Sequence, residues 1–175
     1  MYNALYGFKR LIFNDLENMR RVDVFLDRFE MAHKFDFRDR INLCGNTLPV
    51  TDLLFTKLQI VKINEKDLKD IAALFLDHEF GKEPFVNIKP DYLTKLTSED
   101  WGVYKTFTDN LKKVLDYIGS ISLSEDKKEN VKKKVETLLS EIEKRPKSIS
   151  WKLRARIGES RKWYEDVEED QKIVE

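Results

Sequence analysis

The sequence predicts an α+β protein, with a small mixed or antiparallel sheet at the N-terminal end followed by a helical C-terminal portion. Three observations carry that expectation. β-Branched and aromatic residues alternate between positions 9 and 41, apolar residues recur at three and four from Thr51 onward, and only 6 glycines and 4 prolines punctuate 175 residues. A chain of this length buries roughly 70% of its unfolded surface, which is enough for a proper core. With 41% hydrophobic and 37% charged residues it does not have a disordered composition. Its 32 basic and 32 acidic side chains cancel, so no overall field steers it to nucleic acid or anionic lipid.

Residues 9–13 and 22–27 are strand-like runs separated by Asn14, Asp15 and Asn18, a composition that suits a hairpin turn. In the second run Val22, Val24 and Leu26 share one face, while Asp23, Phe25 and Asp27 share the other. Residues 34–41 alternate again and predict a third strand, closed by the Gly45-Asn46 loop. From Thr51 the period becomes helical, with Leu54, Leu58 and Val61 inward and Pro49 upstream. Asn64 is placed to cap a second helix carrying Leu68, Ile71, Ala72 and Phe75.

Gly81, Pro84 and Pro90 interrupt the pattern and divide the chain into an α/β portion at 1–85, a helical portion at 86–165 and an acidic tail at 166–175. Ser98 is expected to cap a long helix through Trp101, Tyr104, Phe107, Leu111, Val114, Leu115 and Ile118 to Gly119. Ser124 opens a Lys/Glu-rich helix with Val131, Val135, Leu138, Leu139 and Ile142 inward, its charges covering a solvated face and Pro146 stopping it. Ile149–Ile157 alternates like a strand but is composed of helix formers, and helix is preferred.

Cys44 is the only cysteine, which excludes an intrachain disulfide framework and fits a reducing compartment. With His33 and His78 it makes no zinc set, and His33 and Cys44 are expected to be packing residues. No apolar run is long enough to cross a bilayer, so a cytoplasmic protein without membrane contact is expected.

Asp23 stands between two valines on a strand, which fixes its direction and suits a hard dication. A solvated strand residue, or a cross-strand partner of Lys or Arg, is the alternative. Together VDVFLD, FEMAHKFDFRDR and LPVTDLLFTKLQIVKINEKDLKDIAAL resemble the second half of a nucleotidyltransferase of the DNA polymerase beta superfamily. DWGVYKT and KSISWKLRARIGESRKWY are similar to the tail of an uncharacterised bacterial and archaeal branch of it, so the likeness spans nearly the whole chain. The resemblance implies that Asp23 is the third carboxylate of a Mg²⁺ site. Lys57, with the set Lys66, Asp67 and Asp70, is similar to elements of antitoxin-paired abortive-infection nucleotidyltransferases. There Lys57 and Lys66 would hold triphosphate and Asp70 would serve the acceptor; a Lys57 ion pair with Asp67 or Asp70 is the alternative. Lys9 and Arg10 are further candidates to face a nucleotide.

The expected superfamily pattern begins with a Gly-Ser turn and paired carboxylates, which residues 1–21 do not supply. Gly119-Ser120, the one such pair, fits a helix end better. A truncated or split reading frame, inactive alone and completed by a partner chain, is therefore expected. In complete form it would transfer a nucleoside monophosphate from a nucleoside triphosphate to a hydroxyl with two Mg²⁺ ions, on an RNA, protein or small-molecule acceptor.

A non-catalytic RNA- or protein-binding module is the competing expectation. It rests on a basic segment in which Lys144, Arg145, Lys147, Lys152, Arg154, Arg156, Arg161 and Lys162 interleave with Trp151, Trp163 and Tyr164, with Lys152, Arg154 and Arg156 as the expected contacts.

Overall fold

Alternation and turn chemistry build the N-terminal end of the computed structural model, which describes residues 3–4, 7–43 and 45–167. Strands β1 (Arg10–Asp15) and β2 (Arg20–Phe25) form an antiparallel hairpin with Ile12 opposite Asp23 and Phe13 opposite Val22. Asp15 sets the turn, its Oδ1 accepting the amides of Glu17 and Asn18 at 3.1 Å each, and Met19 takes a left-handed φ of 52°. The Asn18 side chain and amide hold the Asp15 carboxyl below its ordinary pKa.

The third strand expected over 34–41 is much shorter. Strand β4 (Lys34–Phe35) pairs antiparallel with β3 (Phe29–Glu30) and stops there. Beyond it the amides of Arg40 and Ile41 both turn back to the Phe37 carbonyl, at 2.9 and 2.8 Å, so the backbone leaves its extended path although Phe35 and Phe37 are buried. A parallel pair, β5 (Glu79–Phe80) and β6 (Asn87–Ile88), gives three two-stranded pieces among the described residues, and with the helical C-terminal portion the fold is α+β.

The helices follow the apolar periodicity. Helix α1 (Val50–Leu58) begins after Pro49, and α2 (Glu65–Asp77) is capped by Asn64, whose Oδ1 accepts the Asp67 amide at 3.1 Å. Helix α3 (Pro90–Glu99) takes Pro90 at its first turn, where a missing N–H costs nothing. Ser98 therefore lies inside α3, donating to the Lys95 carbonyl, and it is Asp100 that caps α4 (Trp101–Ser120) by accepting the Val103 amide at 3.0 Å. Helix α5 (Glu125–Lys144) starts after Ser124, which makes no side-chain cap bond. Ser148 caps α6 (Ile149–Ile157), settling that stretch as helix.

One hydrophobic core crosses position 85. Leu54, Leu58, Ile71 and Phe75 from one side, and Leu93, Leu111, Val135 and Ile142 from the other, are all fully buried in it. Each such side chain contributes about 1.5–3 kcal/mol. Phe35, Phe55 and Phe107 lie at its centre with ring centroids 5.7–6.2 Å apart. The chain after α6 returns to the sheet end, where the Glu165 amide donates to the Ala32 carbonyl at 3.0 Å. Cys44 and most of the expected acidic tail lie outside the described residues. No described helix is long and apolar enough to cross a membrane.

Candidate functional site

Strand parity sends Asp23 to the same face as Arg10 and Phe25, away from Val22 and Val24. Its Oδ2 lies 3.0 Å from Arg10 Nη2 and its Oδ1 accepts from Arg21 Nε at 3.2 Å. Arg10 is buried, with its guanidinium 5.5 Å over the Phe25 ring and Nη1 donating to Met31 Sδ at 3.2 Å. Neither Lys9 nor Arg10 is arranged to receive a nucleotide, because Arg10 turns inward and Lys9 pairs with Glu30 at 2.7 Å. Asp23 thus takes the cross-strand alternative.

Two guanidinium groups occupy the oxygens that a metal would need, and among the described residues no three His, Cys, Asp or Glu side chains gather where a metal could be held. The side chains around Asp23 do not fit a two-magnesium centre. A cavity of about 680 Å³ does lie beside the strand, lined in part by Asp23, Phe25, Phe37, Ile41 and Leu48. Lys57, Lys66 and Asp70 are not among its lining residues.

Lys57 and Asp70 are brought together elsewhere, between α1 and α2. Lys57 Nζ lies 2.7 Å from Asp70 Oδ2 and 3.2 Å from Asp67 Oδ1. Burial works against the Lys57 charge, but its bonds to Asp70 and Asp67 prevail and hold its pKa above the ordinary lysine value. The ion-pair alternative is what forms. Lys66 is exposed on α2 and takes no part in that pair.

The basic segment divides in two. Arg154 donates to the carbonyls of Gly158 at 2.7 Å and Arg161 at 2.5 Å, and its guanidinium sits 4.7 Å from the Trp101 ring centroid. It straps the chain after α6 onto the body. Trp163 also turns inward, meeting Trp101 edge-on at 6.1 Å and donating its indole N–H to Thr106 Oγ1 at 3.1 Å. His33 Nε2 shares that hydroxyl at 2.8 Å, and burial pushes the imidazole pKa down against the nearby charges of Asp100 and Glu165. His33, Asp100, Trp101, Arg154 and Trp163 help line a cavity of about 760 Å³, but Lys34 and Lys162 at its rim are paired with Glu165 and Asp166. Lys152 and Arg156 alone of the three expected contacts are exposed, beside Ile149 and Leu153.

The least ordinary surface is the outer face of the hairpin. Phe13, Val22 and Leu26 are each 50% exposed and Val24 38%, while Leu16 and Met19 at the tip are 81% and 86% exposed. Sequence alternation separates this apolar face from the face of Asp23, but an isolated hairpin does not say which one packs. Here the Arg10, Ile12 and Phe25 side is the covered one. Compared with known proteins, the chain matches no family model, no curated protein and no solved structure.

Proposed function

We propose that the chain is a non-catalytic protein-binding module, with its helical half as scaffold and the β1–β2 hairpin as docking element. The observation that supports this reading is the apolar outer face of Phe13, Val22, Val24 and Leu26, left uncovered beside a fully closed core. An extended polypeptide is the natural occupant, since a strand edge supplies main-chain hydrogen bonds and an apolar face supplies area.

Magnitudes weigh against RNA as the principal ligand. With Arg154 committed to carbonyls, Arg145 to Asp91 and Lys162 to Asp166, the exposed Lys144, Lys152, Arg156 and Arg161 offer four phosphate contacts, worth a salt slope of about −2.8 on a single strand. Calorimetric titration with Mg²⁺ and nucleoside triphosphates, and with a polyribonucleotide over a salt series, tests the reading. It predicts no magnesium-linked nucleotide affinity and no RNA affinity steeper than that slope. Magnesium-linked nucleotide binding would restore the transferase expectation, and a steeper RNA slope would move the function to α6.

A further inference from the structure

We propose that the docking partner of the hairpin is a second copy of this chain, paired antiparallel along the outer edge of β2 with Val22 opposite Val22. The inference deepens the protein-binding reading and rests on it.

The two edges of the hairpin differ. The Asn3 side chain covers β1, its amide donating to the Ile12 carbonyl and its oxygen accepting the Ile12 amide, both at 2.8 Å. Those bonds show that the backbone groups of Ile12 point away from β2. In an antiparallel ladder, opposite residues share that orientation, so Asp23 and, by alternation, Arg21 and Phe25 also direct N–H and C=O outward. No described residue takes them. The edge is six residues long, has no proline, and faces the cavity beside Phe25, Phe37, Ile41 and Leu48.

Charge then selects one register. Hydrogen-bonded pairs across a twofold axis must join outward-facing residues, so the axis passes through a residue of the strand; centring on Val24 sets Asp23 opposite Phe25, with no cation facing the carboxylate. Centring on Arg21 opposes two arginines, and centring on Asp23 opposes two carboxylates. Centring on Val22 sets Arg21 opposite Asp23 of the second copy, twice, and joins the apolar faces into one four-stranded surface.

The same register brings Met19 of the second copy opposite Phe25. The exposed hairpin tip with Leu16 and Met19 is thereby carried toward the cavity lined by Phe25, Phe37, Ile41 and Leu48. The hairpin thus supplies an apolar projection and one wall of a hollow whose lining also includes Asp27, Arg28 and Arg38, each reciprocated by the twofold axis.

Light scattering of the full chain over a concentration series, with disulfide trapping in a Cys44→Ser background, tests the pairing. Val22 lies at a non-hydrogen-bonded position, where Cα atoms across an antiparallel pair are about 4.5 Å apart, within disulfide range. Val22→Cys should give a covalent dimer under mild oxidation and Phe13→Cys should not. Arg21→Glu should weaken dimerisation at least tenfold, and Met19→Asp should weaken it independently. A chain that stays monomeric at every concentration, or a dimer trapped at Phe13 and not at Val22, overturns the proposal. If the monomeric chain still forms adducts with another polypeptide through a photoreactive group at Phe13, only the pairing fails; if it forms none, the protein-binding reading fails with it.

Discussion

Arg10 and Asp23 form a diagonal ion pair across the hairpin, 3.0 Å from Nη2 to Oδ2, with the arginine 9% and the carboxylate 34% exposed along their side chains. The carboxylate has a structural occupation: it balances a guanidinium held against Phe25 and Met31. Asp23→Ala should therefore destabilise the hairpin by about 1–3 kcal/mol, and Asp23→Asn by less, because the amide still accepts a hydrogen bond. Urea unfolding read with hairpin amide exchange would measure both. A change in nucleotide affinity without loss of stability would contradict this role.

Lys134 is the second charged group with a buried duty. Its Nζ donates to the carbonyls of Phe75 at 2.8 Å and His78 at 3.0 Å, where α2 ends, and contacts Glu79 at 2.6 Å. A cation there also complements the negative end of the helix dipole. Lys134→Met should cost about 2–3 kcal/mol, since it leaves the α2 carbonyls without this donor, whereas substitution of the exposed Lys133 should change stability by less than about 0.5 kcal/mol. Equal effects at the two positions would refute the assignment.

His33 makes stability depend on pH. Its imidazole titrates near about 6.5 when unfolded and lower when folded, because burial disfavours the charged form against the pull of Asp100 and Glu165. Between those two values the unfolded chain binds more protons, so stability is fully present above about pH 6.5 and falls as pH drops toward the folded value. Unfolding measured between about pH 5 and 8 should show this limb. His33→Gln should flatten it, and an unchanged limb in that variant would assign it to another group.

Lys57 is held by Asp70 and Asp67 at a third-exposed position, where an ion pair is worth little. Lys57→Met should cost less than about 1 kcal/mol and leave triphosphate affinity unaltered. A selective loss of nucleotide binding would restore Lys57 to the phosphate role that the family resemblance implies.

The sequence carries most of the helical half, because burial at three- and four-residue spacing leaves a direct imprint and Asn64 marks its helix chemically. Ser98 misled because Ser98 and Asp100 are both competent caps, and only the early start of α3 at Pro90 places Ser98 inside a helix. Residues 34–41 alternate as a strand does, yet the return of the Arg40 and Ile41 amides to Phe37 is a backbone event that alternation does not record. Lys134 was invisible for another reason: its position in a Lys/Glu-rich helix reads as solvated, and the carbonyls it meets lie 56 and 59 residues away in sequence. Of the candidate site, Lys57 and Asp70 do meet, but as partners of each other.

The most direct test of protein binding through the hairpin is site-specific photocrosslinking of the full chain in cells, with the photoreactive group at Val22 and, as control, at the exposed Lys133. A light-dependent polypeptide adduct is expected at Val22, lost when Phe13 and Val24 are both replaced by Asp, and none at Lys133. Adducts at both positions alike, or at neither, would contradict it.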